Sequence, residues 1–229
     1  METIAATTIP NTPIAVMQNP SIAEDVSSFE SFQQPSVVGK SSKASAEQRL
    51  RLVYALKKAS GLVVRSIGVV DQITLPPSFE LGTRLGGVPG QSFFQSYHLS
   101  TDEHVKIYFE YRGQRLSESD ARAFRDILSQ PPHVLKNREI ALLKETVQEK
   151  ANLGVFKLLL AKTEDLNGRR VLIVEGRYAK DDLTAYTIYI DADGTGAEVQ
   201  ELTFQTKTNQ YARRLLAGMN SFKSIQWQK

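Results

Sequence analysis

The spacing of apolar residues divides the chain into segments of different period. In residues 45–60, SAEQRLRLVYALKKAS, the positions Leu50, Val53, Tyr54 and Leu56 fall near one helical face, with Ser45 placed to cap the helix and Gly61 to stop it. The other face carries Arg49, Arg51, Lys57 and Lys58. Residues 62–75 lose that period and turn β-branched and apolar. They predict strand structure up to Pro76 and Pro77, where a hydrogen-bonded ladder must end. Gly82, Gly86, Gly87, Pro89 and Gly90 then predict a mobile loop, and SFFQSYHL and VKIYFEYR around the polar turn 100–103 predict a hairpin.

Ser117, with Asp120 three residues on, predicts a short helix through about Ser129 that Pro131 and Pro132 close. Asn137 is the expected cap of a longer helix ending at Gly154, with Glu139 in its first turn and Ile140, Leu143 and Val147 on one face. Four strands follow, VFKLLLAKT, RRVLIVEGRY, TAYTIYI and EVQELTFQT, joined by turns at 165–168, 180–182 and 191–196. A helix from Asn209 to Asn220 comes last. Turns this short admit only antiparallel neighbours, since a parallel pair needs a crossover of about a dozen residues or more. The expected fold is α+β, an antiparallel meander covered by helices.

Residues 1–44 are different in kind. They hold Pro10, Pro13, Pro20 and Pro35, and their only aromatic residues are Phe29 and Phe32, too little apolar surface to offset the entropy of ordering. They read as a flexible extension before a single domain at 45–229. Within the extension, Ser21 and Glu24 form a capping box after Pro20, and Ile22, Val26 and Phe29 make one apolar stripe beside Glu24, Asp25 and Glu30. So short a helix would form only in an apolar groove with a basic rim, on a partner or on this domain near Arg213 and Arg214.

Charge adds little by itself: 28 Lys and Arg against 25 Asp and Glu leave +3. Its distribution says more, because the chain after Glu201 carries Lys207, Arg213, Arg214, Lys223 and Lys229 with no acid. This basic C-terminal segment and the basic helix at 45–60 support a second reading, a nucleic-acid binder that stacks Trp227 or Tyr211 on a base. The absence of cysteine excludes disulfides, thiolate metal sites and a thiol nucleophile, and three histidines leave few ways to build a metal centre. No apolar run is long enough to span a bilayer, and the first residues have neither a basic nor an apolar leader region, so the chain reads as cytoplasmic.

Four groups of residues invite a chemical reading, and none carries it. Asp191, Asp193 and Gly196 resemble the start of a calcium loop, but Leu202 stands where a bidentate acid is needed, and Asp with Gly also makes a hairpin turn. His98, Ser100, Asp102 and His104 crowd one hairpin without an oxyanion loop or nucleophile elbow. The glycines at 82–90 lack both phosphate-loop patterns. Glu139, Glu145 and Glu149 alternate with Lys144 and Lys150 as a solvated helix face would. No catalytic, cofactor or metal residue is expected.

The order of a helix, LLLAKTEDLNGRRVLIVEGRY, a strand with Tyr186 and Tyr189, ELTFQT, and a helix ending in MNSFKSIQW resembles the PsbP-like fold, as does the earlier LPPSFELG. That group takes in the extrinsic subunit of photosystem II, small bacterial lipoproteins and a eukaryotic binder of the Ran GTPase. The resemblance covers about residues 62–229 and implies an α/β/α sandwich that docks on other proteins without catalysis. The chain departs from the group in having no leader and no lipidation cysteine, and no functional residue of the group carries over. The leading expectation is a non-catalytic protein-binding or adaptor module that docks through its sheet and loop surface.

Overall fold

The computed structural model describes residues 61–86, 91–148 and 156–229. The helix expected at 45–60, the stripe of Ile22, Val26 and Phe29, the loop tip 87–90 and the segment 149–155 lie outside the described residues.

Seven strands form one antiparallel sheet. In spatial order they are β3 (Phe79–Gly86), β4 (Phe93–Leu99), β5 (Asp102–Tyr111), β9 (Val199–Lys207), β8 (Leu183–Asp191), β7 (Arg169–Tyr178) and β6 (Phe156–Leu166). The four-strand meander is present as expected, and β9 delivers it against β5 with Phe109 opposite Leu202. The central strands are buried on both faces. Val171 and Ile173 join one apolar cluster while Leu172 and Val174 join the other, and β8 divides Tyr186, Ile188 and Ile190 from Tyr189 in the same way. Such strands read as unbroken apolar runs.

The first face is covered by α3 (Tyr211–Lys223) and by a small sheet of β1 (Leu62–Ile67), β2 (Val70–Leu75) and β10 (Gln226–Trp227). The second face is covered over β6 to β8 by α1 (Glu118–Ser129) and by Leu135, Leu143 and Val147. The result is an α+β fold with helices on both sides of an antiparallel sheet. No described helix is long and apolar enough to cross a membrane.

Four expectations need correction. The run Leu62–Leu75 is two strands, because the chain reverses between Ile67 and Val70 with Gly68 at φ 55°, a left-handed value that glycine adopts without a Cβ penalty. Gly82 to Gly86 is not loop: it lies in β3, where one extra residue between Leu81 and Arg84 makes a bulge against β4. The long helix expected from Asn137 is a single turn, α2 (Asn137–Ile140), followed by a π turn at Lys144–Gln148, and the cap position is Lys136. The break has a tertiary cause. The buried Asp120 carboxylate accepts the Glu145 N–H at 2.7 Å, and Leu142 and Leu143 tighten to i→i−3 bonds just before it. Last, the chain after α3 forms β10, tied down by Asn167, whose side-chain amide donates to the carbonyls of Lys223 (2.9 Å) and Ile225 (2.7 Å).

Candidate functional site

Gln200 is the residue around which the site is built. It sits 1% exposed on β9, where its Oε1 accepts the Val69 N–H at 2.8 Å and its Nε2 donates to the Ile67 carbonyl at 3.2 Å. These two bonds hold the β1–β2 turn above the large sheet. Gly68 is required for a second reason there: a Cβ would lie 2.0 Å from Gln200 Oε1.

Beneath the turn a cleft of about 460 Å³ opens between Ile67 and Val69 above, Phe93 and Tyr111 below, and the Arg84–Gly86 end of β3 at its mouth. The Phe93 and Tyr111 rings lie 6.1 Å apart. Gln95 also lines the cleft and donates from its Nε2 to the Tyr97 hydroxyl. Burial and the neighbouring Glu198 push the Tyr111 hydroxyl above its usual pKa, so it stays a neutral donor.

The far wall comes from the turn 191–196, which supplies Ala192 and leads to Glu198. Its carboxylates are occupied. Asp191 Oδ1 accepts the N–H groups of Gly194 (2.9 Å) and Gly196 (3.1 Å), and Asp193 takes the Thr195 hydroxyl at 2.7 Å and Arg115 at 3.0 Å. Arg115 also holds Glu198 at 2.8 Å. The turn is therefore a rigid wall, and the resemblance to a calcium loop ends with its oxygens spent on the loop's own donors.

These bonds set a pH dependence. Burial opposes ionisation of Asp193, but the Thr195 hydroxyl and N–H, the Glu198 N–H and Asp191 outweigh it and bring its pKa down to about 2, while burial and the Asp193 charge raise Asp191. The stabilisation from a lowered Asp193 is complete above the unfolded value of roughly 3.9 and disappears as pH falls through about 2. Asp193→Asn is thus expected to be less stable than the parent at neutral pH, with the gap closing between about pH 4 and pH 2 in urea unfolding series.

The other groups singled out in the sequence are held in structural roles. His98 Nε2 meets Glu80 Oε1 at 3.1 Å, and Asp102 accepts the His104 N–H at 3.0 Å as a turn residue, so Ser100 faces no relay. Glu139 accepts the Lys136 N–H at 2.8 Å and contacts His133 at 3.1 Å. The Lys136 bond leads, with His133 adding to it, and together they outweigh burial to lower the carboxyl's pKa. Glu145 accepts the Ser117 N–H at 3.1 Å, and Glu149 lies outside the described residues. Among the described residues no three His, Asp or Glu side chains gather where a metal ion would sit.

Arg213 is exposed and Arg214 half-buried on α3, away from the cleft. Trp227 donates its indole N–H to the Leu166 carbonyl at 2.9 Å beneath Arg169, and Tyr211 is buried against Phe204. The Tyr211 ring is not free to stack on a base, and one face of the half-buried Trp227 ring is taken by Arg169. Sequence reasoning missed Gln200, Arg84 and the β3 edge. A glycine interrupting the β-branched run at 62–75 was the available sign of the turn.

No family model and no curated protein matches the chain by sequence. Solved structures resemble its fold distantly. The solution structure of cyanobacterial PsbP (CyanoP) from Synechocystis sp. PCC 6803 has 11% sequence identity and a TM-score of 0.45 over 74% of this chain and 94% of its own. PA94, a protein of unknown function from Pseudomonas aeruginosa, gives 11% identity and a TM-score of 0.38 over 74% of this chain and 99% of its own. The first bears the name of the group that residues 62–229 were expected to resemble.

Proposed function

We propose that this protein is a non-catalytic binding module that takes an extended segment of a partner protein along the outer edge of β3. One observation carries the reading: the two edges of the large sheet are treated differently. At β6 the segment 133–135 covers the edge, with the Thr163 N–H donating to the His133 carbonyl at 2.8 Å and the Leu135 N–H to the Ala161 carbonyl at 2.9 Å. At β3 no strand pairs with the outer side among the described residues, and Leu81 and Leu85 stand 53% and 61% exposed. An uncovered edge with apolar side chains is a template for strand addition. Burying what remains of each leucine contributes about 1–2 kcal/mol, and the main-chain bonds supply register.

The β3 bulge supports a foreign strand over a second copy. It places Leu81 and Arg84 on the cleft face and Glu80 and Leu85 on the other, so two β3 edges paired antiparallel would not bring Glu80 beside Arg84.

Panning a displayed library of random heptapeptides against the protein tests the reading. The expected result is enrichment of sequences rich in β-branched residues that lose binding to the Leu81→Lys, Leu85→Lys double variant. That variant's own stability should stay within roughly 0.5 kcal/mol of the parent, as surface changes usually do. Peptides that bind the double variant equally well would remove the edge from the interface.

The extension belongs to the same reading as a separate contact. The stripe of Ile22, Val26 and Phe29 with its acids would seat in an apolar groove with a basic rim on the partner. Phe29→Ala is expected to lower partner affinity, and an unchanged affinity would end that proposal.

A further inference from the structure

Resting on the reading of β3 as a docking edge, the charge inventory of the cleft indicates what a docked segment carries. Among the described residues that line the cleft, two have acidic or basic side chains, Arg84 and Glu198. Glu198 is engaged, since Arg115, which also holds Asp193, lies 2.8 Å from its Oε1 and the Tyr111 hydroxyl donates to its carboxylate. Arg84 is not. It makes no ion pair and no hydrogen bond among the described residues, and it stands exposed at the mouth of the cleft, one residue from the edge leucine Leu85. Around it are the apolar surfaces of Ile67, Val69 and Phe93 and the amide of Gln95.

We infer that the cleft receives a carboxylate from the docked partner segment, with the Arg84 guanidinium as its anchor. The register supports the placement. Arg84 lies opposite Gln95, on the same face of the sheet as the cleft, so a strand added along β3 projects alternate side chains beside Arg84 on that face. A guanidinium offers a planar pair of donors that fits the two oxygens of a carboxylate, and apolar walls that exclude water strengthen the pairing. The single uncompensated cation suits a singly charged carboxylate. A phosphate dianion draws a cluster of cations, and among the described residues no lysine and no second arginine line the cleft. The Gln95 amide gives one N–H to the Tyr97 hydroxyl and keeps its second as a further donor at the cleft.

The test compares two capped hexapeptides of alternating threonine and valine, identical except for a central glutamate or glutamine, in NMR titrations of the full chain. The glutamate peptide is expected to bind about tenfold more tightly, with shifts at the side-chain amides of Gln95 and Gln200. Arg84→Gln should erase that preference and Arg84→Lys should keep part of it. Raising salt from 50 to 500 mM should narrow it. If both peptides bind equally and Arg84→Gln changes neither, the carboxylate inference is overturned while docking at β3 stands. If neither peptide binds, both readings fall. A glutamate preference that survives Arg84→Gln would place the carboxylate on another cation and overturn the role given to Arg84.

Discussion

Replacing Gly218 with valine should cost about 3 kcal/mol or more and lower the melting temperature by roughly 6–12 °C. Gly218 is the point at which α3 rests on the large sheet. A Cβ there would lie 2.6 and 2.7 Å from ring atoms of Phe204, which is itself 1% exposed and packed beside Tyr211. The ring has no room to retreat, so the helix must lift. Alanine gains about 1 kcal/mol of helix propensity at this position, yet the contact is short enough that Gly218→Ala is also expected to destabilise. Combining Gly218→Ala with Phe204→Leu, which withdraws the ring, should cost clearly less than the sum of the two single changes in chemical denaturation. Additive costs would show that the two residues do not share the contact.

Gln200→Leu should cost about 2–4 kcal/mol, because the volume is kept while the Val69 N–H and the Ile67 carbonyl lose their partner. The damage should be local as well as global. With its clamp gone, the β1–β2 turn is held only through its strand pairing and its packing on the sheet, so amide exchange at Ile67–Val70 should accelerate more than at the centre of β8. Gln200→Glu is expected to be worse still, since an acceptor remains for Val69 but the donor to Ile67 is replaced by a buried charge. Unchanged exchange at the turn in Gln200→Leu would show that packing alone holds it.

How far the sequence carries these features depends on how local their causes are. The meander from β6 to β9 is legible because its strands are long, apolar and separated by short polar turns, two of them Asn-Gly and Asp-Gly, whose chemistry acts within a few residues; Asn167 and Gly168, for instance, both adopt positive φ. Helix α1 is legible for the same reason, with the Ser117 hydroxyl accepting the Asp120 N–H. The failures come from partners far away in sequence. The break after α2 is caused by Asp120, and β10 is held by Asn167 on the opposite side of the chain's course. The bulge that keeps Gly82 in β3 depends on Ser96, whose hydroxyl accepts the Thr83 N–H. The cleft was least legible of all. Gln200 lies 131 residues from the backbone N–H it binds, and a glutamine in an apolar strand gives no sign of what it holds.

Function was legible chiefly by exclusion. Lack of cysteine and scarcity of histidine narrowed the chemistry, while Asp191 is spent on N–H groups of its own turn and His98 meets Glu80 of β3. The distinction between a β6 edge that is covered and a β3 edge that no described residue pairs with belongs to the tertiary structure, since Leu81 and Leu85 read in the sequence as part of a glycine-rich loop.

Amide exchange across the large sheet, measured by NMR with and without the glutamate hexapeptide, tests the docking edge most directly. The free protein is expected to show fast exchange at the outward N–H groups of Phe79–Gly86 and slow exchange throughout β8. Saturating peptide should then slow the β3 amides by tenfold or more (about 1.4 kcal/mol of added protection) while leaving β6 and α3 unchanged. Protection that appears at β6 or α3 with β3 unaltered would contradict strand addition at this edge.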